Sequence, residues 1–188
     1  NMTNAIDIDG TNSDDLTRAT LTCRRQMDDI VKYLREFVPG YENCYVISSA
    51  SFMGIRETRH FKGKYTLNEQ DILEAKVFDD YVVKDAYFNF DVHNITGAGL
   101  DKTGVQKHFS QEKGYTIPYR CLLPEIKENL LLCGRNISGT HMAHSNFRVM
   151  PICVGIGEAA GVAAYISVSQ NCSLNDIDAK EIRKIIRI

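Results

Sequence analysis

The segment RVMPICVGIGEAAGVAAY, residues 148–165, constrains the fold more than any other part of the chain. It contains a formal match to the dinucleotide fingerprint G-x-G-x-x-G/A, running from Gly155 through Gly157 to Ala160. That fingerprint works only between a first strand and a helix, with a second parallel strand ending in an acid about 20 residues on. Here Pro151 interrupts the supposed first strand. After Gly161 the chain offers one helix, a polar break at 170–173 and another helix. No second strand is available, although Asp176 and Asp178 stand near the position an acid would take. The segment reads instead as a helix over 151–169 with very little side-chain bulk. Glycine inside a helix costs about 1 kcal/mol against alanine, so Gly155, Gly157 and Gly161 need a reason. Close packing against a sheet or another helix is one reason. Close approach of a planar ligand, with the positive helix N-terminus facing an electron-rich group, is the other. Periodicity by itself favours packing.

The rest of the chain predicts an α+β fold, with helices packed on a mainly antiparallel sheet. Ser13-Asp14-Asp15 opens a helix in which Leu16, Ala19, Cys23, Met27, Ile30, Val31, Leu34, Phe37 and Val38 recur at helical steps, and Pro39-Gly40 stops it. CYVISSAS (44–51) is β-rich, and GIRETRHFKGKY (54–65) alternates like a strand and turn. Thr66-Leu-Asn-Glu69 has the form of a capping box, leading into a short helix that ends near Lys76. DYVVKDAYFNFDVHN (80–94) is aromatic and β-branched and predicts a strand. Residues 94–114 read as a long loop or excursion. YTIPYRCLLP and LLLCG flank a polar turn at 125–129 and predict a hairpin. RNISGTHMAHSNFR (135–148) reads as a polar loop, and DAKEIRKIIRI as a closing amphipathic helix.

Composition narrows the function classes. A net charge of -2 with no long basic run argues against a nucleic-acid partner. Six cysteines without a C-x-x-C pair, several in apolar runs, point to buried free thiols over a disulfide framework or a zinc site. With no signal-peptide pattern at the start, these thiols lead us to expect a cytoplasmic protein. The one window of membrane length, 149–168, carries Pro151 and Glu158 and is read as a buried helix, so no membrane partner is expected.

Taken in order, GIRETRHFKGKYTLNEQDILEAKVFDD, FDVHN, IPYRCLLPEIKENLLLCGRNISGTHMAHSNFRVMP and GEAAG resemble a family of bacterial FAD-dependent oxidoreductases over nearly the whole chain. The resemblance implies the C-terminal portion of a larger FAD/NAD(P)-binding-type flavoprotein that passes a hydride between a small organic substrate and its flavin. In flavoproteins of this build a true G-x-G-x-x-G near the start of the polypeptide holds the ADP half of FAD, and residues 1–50 contain none. The missing N-terminal nucleotide-binding half becomes an expected partner. An isolated piece is expected to be inactive, to bind FAD weakly, and to self-associate through exposed apolar surface. Residues 1–114 would form the substrate side, and 115–188 the C-terminal part of the FAD-binding domain.

The resemblance also assigns roles. Gly134 and Arg135 would end a strand beside the ribityl and pyrophosphate part of FAD. Glycine there admits the backbone, and arginine offers a fork of donors. Arg148, Met150 and Pro151 would set the helix start against the isoalloxazine ring, with Gly155 and Gly157 thinning the helix behind it. His93 and His141 are the candidate acid/base groups, because imidazole titrates near working pH; a hydrogen-bonded structural histidine is the competing reading for each. Arg56 and Arg59 could hold an anionic substrate group or ion-pair with Glu57 and nearby aspartates. His141 and His144 form H-x-x-H, but no carboxylate or cysteine cluster completes a site and no metal is expected. Two other functions stay open: a non-catalytic α+β interaction domain, in which the small-residue helix is a packing device, and a metal-dependent hydrolase.

Overall fold

The computed structural model describes residues 3–93 and 111–188. They fall into two compact units, residues 1–59 and 60–188. The division of role expected at 114/115 is a different one; among the described residues the strand pair takes one strand from each side of it.

The first unit is built on α1, Ser13–Phe37. The Asn12 side chain accepts from the backbone N–H groups of Asp14 and Asp15, and these two acids sit at the positive end of the helix dipole. Asp15 also ion-pairs with Arg18 at 2.8 Å and accepts the Asp9 amide at 2.8 Å. Gly40, at φ +89°, lets the chain turn away beyond the helix end. Residues 44–59 form no strand, contrary to the β-rich pattern of CYVISSAS and GIRETR. Ile47 and Phe52 are each 88% exposed there, and β propensity has no buried face to act on. The segment returns instead to the N-terminal turn. A Cβ on Gly10 would lie 2.7 Å from the Thr58 side chain.

In the second unit, α2 is Glu69–Leu73, β1 Tyr81–Ala86, β2 Tyr115–Pro118, α3 His141–Phe147, α4 Met150–Gln170 and α5 Ala179–Ile186. The capping box of α2 uses Asn68 and Asp71 rather than Thr66 and Glu69. Strand β1 pairs antiparallel with β2, Val83 opposite Ile117 and Ala86 opposite Tyr115. The expected hairpin of 115–133 therefore does not form: Pro118 ends β2, and Tyr119–Cys121 tighten into a 3-10 turn. The polar run 135–148 is not a loop but contains α3, because Thr140 caps a helix whose residues 143–147 are all buried. Residues 94–110 of the expected excursion lie outside the described residues.

Helices α4 and α5 pack on β1 and on each other. Along α4, Ile152, Ile156, Ala159, Ala160, Ala163 and Ile166 form the buried line. It joins Val82, Val83, Ile117 and Ile182 in the core. Among the described residues α4 is also the one helix long and apolar enough to cross a membrane by length and composition. Arg183 fixes α5 to β1, donating to the carbonyls of Asp79 and Tyr81 at 3.1 and 2.8 Å and lying over the Tyr81 ring. Of the cysteines, all free, only Cys121 is fully buried, while Cys133 is exposed, against the expectation of buried thiols.

Burial suppresses the ionisation of three core groups. The Cys121 thiol is pushed up to about 12 from 9.0, and the Tyr115 and Tyr119 phenols are also raised. Groups raised on folding stabilise fully below their unfolded values and lose that contribution as pH climbs through the folded ones. Denaturant titrations at stepped pH should therefore show stability falling above pH 9.0, with the Cys121 share gone by about 12. A flat profile across that window would contradict the burial of these groups.

Candidate functional site

The start of α4 is placed by the short helix before it. Thr140 Oγ1 accepts the Ala143 amide at 3.2 Å and donates to Glu69 at 2.9 Å, which ties α3 to α2. Arg148 caps α3 in helical conformation, Val149 is extended, and α4 begins at Met150 with Pro151 in its first turn. Proline suits that turn, where no amide hydrogen is required. The N-terminus of α4 has no side-chain cap, and its first turn carries no acid. Its dipole is left to act on whatever lies in front of it.

The segment that follows β1 runs along α3 and is laced to it. Asn146, fully buried, accepts from the Tyr115 hydroxyl at 2.8 Å and donates to the Phe88 carbonyl. The Asp91 amide donates to Ser145 O at 3.4 Å. Arg148 then donates to the Asp91 carbonyl and, at 3.1 Å, to its Oδ2. The other oxygen, Oδ1, stands 3.3 Å from His93 Nε2. The Arg148 side chain is 11% exposed and that of His93 42%, so an enclosed cation and an open imidazole share one carboxylate.

Gly134 and Arg135 do not end a strand. They lie in a 3-10 turn, Gly134–Asn136, that packs on α4. Gly134, at φ +68°, occupies left-handed backbone that a side chain would strain, with no atom within 4 Å of where its Cβ would be. Burial raises the Cys153 thiol in the first turn of α4, and the Arg135 charge opposes that rise from nearby. The structure thus gathers Gly134, Arg135, Arg148, Met150, Pro151 and, through Asp91, His93. Met150 is 82% exposed, which leaves an apolar surface beside the donors. Uncapped amides, two guanidinium groups and an open apolar surface, with no carboxylate in the helix turn, suit a flat, electron-rich, phosphate-bearing group.

Within the second unit, the other predicted histidines lie away from the start of α4. His141 is exposed in the first turn of α3, at the far end of that helix from Arg148. His144 is buried, edge-on to Phe147 and His60, so the two histidines of H-x-x-H do not share an open face. Arg56 and Arg59 belong to the first unit, where the Arg59 charge helps lower the Asp9 carboxyl, behind the hydrogen bonds from Thr11. Sequence reasoning passed over Asp91. Its signal is a two-residue spacing from His93, which puts both side chains on one side of extended chain.

The three glycines of α4 separate. A Cβ on Gly155 would meet Val83 at 3.6 Å, ordinary contact with the strand, whereas Gly157 and Gly161 have no atom of their own unit within 4 Å. A side-chain carbon fits at each of the three, so packing within this unit requires glycine at none of them.

Comparison with known families gives a match over almost the whole chain. A model described as FAD dependent oxidoreductase covers residues 1–186. No curated protein and no solved structure matches the chain.

With open space at both positions, Gly157→Ala and Gly161→Ala should each stabilise α4 by about 1 kcal/mol. Denaturant melts of the 188-residue chain measure this. Destabilisation by either would show that something already covers that face.

Proposed function

Because the chain belongs to the FAD dependent oxidoreductase family, with FAD as cofactor, we propose that the residues around the start of α4 hold the flavin end of that cofactor. The intact protein then passes a hydride between a small organic substrate and FAD. When bound, FAD supplies two-electron chemistry that no amino-acid side chain provides. The chain's own residues bind, orient and tune.

Arg148 and Arg135 present planar forks of donors suited to phosphate and hydroxyl oxygens. The amides and dipole of the α4 N-terminus favour negative charge at the pyrimidine edge of the ring. Met150 offers an apolar surface to the ring face. His93, half open beside Asp91, takes or gives the substrate proton. In this reading residues 115–188 form the flavin side, and the substrate side lies within 1–114. The ADP half of FAD is held by other residues of the protein, since no strand–G-x-G-x-x-G–helix unit occurs in these 188. The observation that carries the reading is the uncapped, acid-free start of α4, with Arg148 and the Arg135 turn against it.

Arg148→Ala in the intact protein should lower FAD affinity roughly tenfold or more, as expected for losing a charged hydrogen bond of about 1.5–3 kcal/mol. Flavin absorbance per chain after gel filtration measures it, and full flavin content in the variant would defeat the placement. The 188-residue chain on its own should retain little or no FAD in the same assay. Recovery of stoichiometric flavin on it would show that these residues suffice for the whole cofactor.

A further inference from the structure

We propose that Asp91 is a positioning residue that couples the cofactor arm of the site to its proton-handling histidine. This rests on the reading that Arg148 lies at the flavin. The two carboxylate oxygens of Asp91 have different neighbours: Oδ2 accepts from Arg148 Nη2 at 3.1 Å, and Oδ1 stands 3.3 Å from His93 Nε2.

The carboxylate has little freedom to leave this arrangement. The Asp91 amide donates to Ser145 O at 3.4 Å, and its carbonyl accepts from the same Arg148 nitrogen that holds the side chain. An exposed ion pair would contribute little, but the Arg148 side chain is only 11% exposed and its partner is held at both backbone and side chain. Two consequences follow. Asp91 offsets part of the Arg148 charge and so moderates the field at the start of α4. It also gives a protonated His93 a counter-ion on its Nε2 side. One acid thereby links the electrostatics of the cofactor to the placement of the imidazole.

The test uses the intact, FAD-loaded protein and the near-isosteric Asp91→Asn. Two quantities are read: the reduction potential of bound FAD by spectroelectrochemical titration, and the ring carbon–proton NMR signal of His93, assigned by its loss in His93→Gln. The expected result is a rise in potential, because an uncompensated Arg148 favours the electron-rich reduced cofactor, together with a shifted His93 signal. Asp91→Glu should bring both back toward the wild-type values. A folded, flavin-loaded Asp91→Asn in which either quantity stays at the wild-type value overturns the coupling. Arg148→Gln separates this failure from that of the underlying reading. If it leaves FAD content and potential unchanged, Arg148 is not at the flavin and the proposal falls with that placement. If it moves them while Asp91→Asn moves neither, only the coupling fails. Should Asp91→Asn not fold, the labelled carboxylate carbon of Asp91 is followed in His93→Gln and Arg148→Gln. A shift in both supports a shared carboxylate, and no shift in either one overturns it.

Discussion

A two-stranded antiparallel sheet buries too little to stand in water alone. Strands β1 and β2 persist because α4 packs against β1, and the rest of the second unit depends on that contact. The buried line of α4 is narrow, with Ala159, Ala160 and Ala163 between Ile152 and Ile156 on one side and Ile166 on the other. Gly155 faces Val83, where a Cβ would make ordinary contact. Helix α5 then locks the far side through Arg183, whose guanidinium reaches two β1-side carbonyls and covers Tyr81.

With α4 fixed on the sheet, the position of its N-terminus is no longer free, and the site follows from what arrives there. α3 is short but buried along residues 143–147, so it behaves as a peg rather than a surface turn. Asn146 is used inward, bridging β2 and the segment after β1, and the Ser145 backbone carbonyl accepts the Asp91 amide. The Tyr115–Asn146 bond is buried, where a group left unpaired costs about 1–3 kcal/mol, so Asn146 is held in place to guide the segment after β1. Arg148 continues it at the junction with α4. Structural polar groups and candidate functional ones form one sequence of contacts, from Tyr115 in the sheet to His93 at the open end.

Much of this arrangement was legible in the sequence wherever a single periodic pattern was at work. The span of α1, the small-residue helix and the last helix follow from helical spacing, and the strand at Tyr81–Ala86 from its β-branched run. What failed depended on partners distant in the chain. CYVISSAS has strand composition and no strand to pair with. YTIP pairs with β1, some 35 residues earlier, rather than with LLLCG nearby. HMAHSNF is polar in composition and buried in fact, because Ser145, Asn146 and His144 meet interior partners. Local hydrophobicity contains no record of such partners. The family resemblance rested on the order of several short motifs, and the match over residues 1–186 agrees with it. Asp91 was missed for a different reason: its role comes from Arg148, 57 positions away in sequence.

The glycine pattern that first suggested a dinucleotide turn now divides by what faces each position. In a true fingerprint the glycines precede the helix and admit phosphates to its first amides. Here all three lie within α4, beyond its first turn, and of the three only Gly155 faces the sheet. The first-turn amides are those around Pro151, and the charges near them are Arg148 and Arg135 rather than a glycine cradle. Those two cations and the helix dipole have the same sign, which would make the turn strongly electropositive if left unbalanced. Asp91 is the acid the fold sets against Arg148, and it comes from the strand segment rather than from the helix, so it moderates the field without occupying the helix end. An acid within the first turn of α4 would have capped the helix and closed the position in front of it. Held at the side, the same charge leaves that position open.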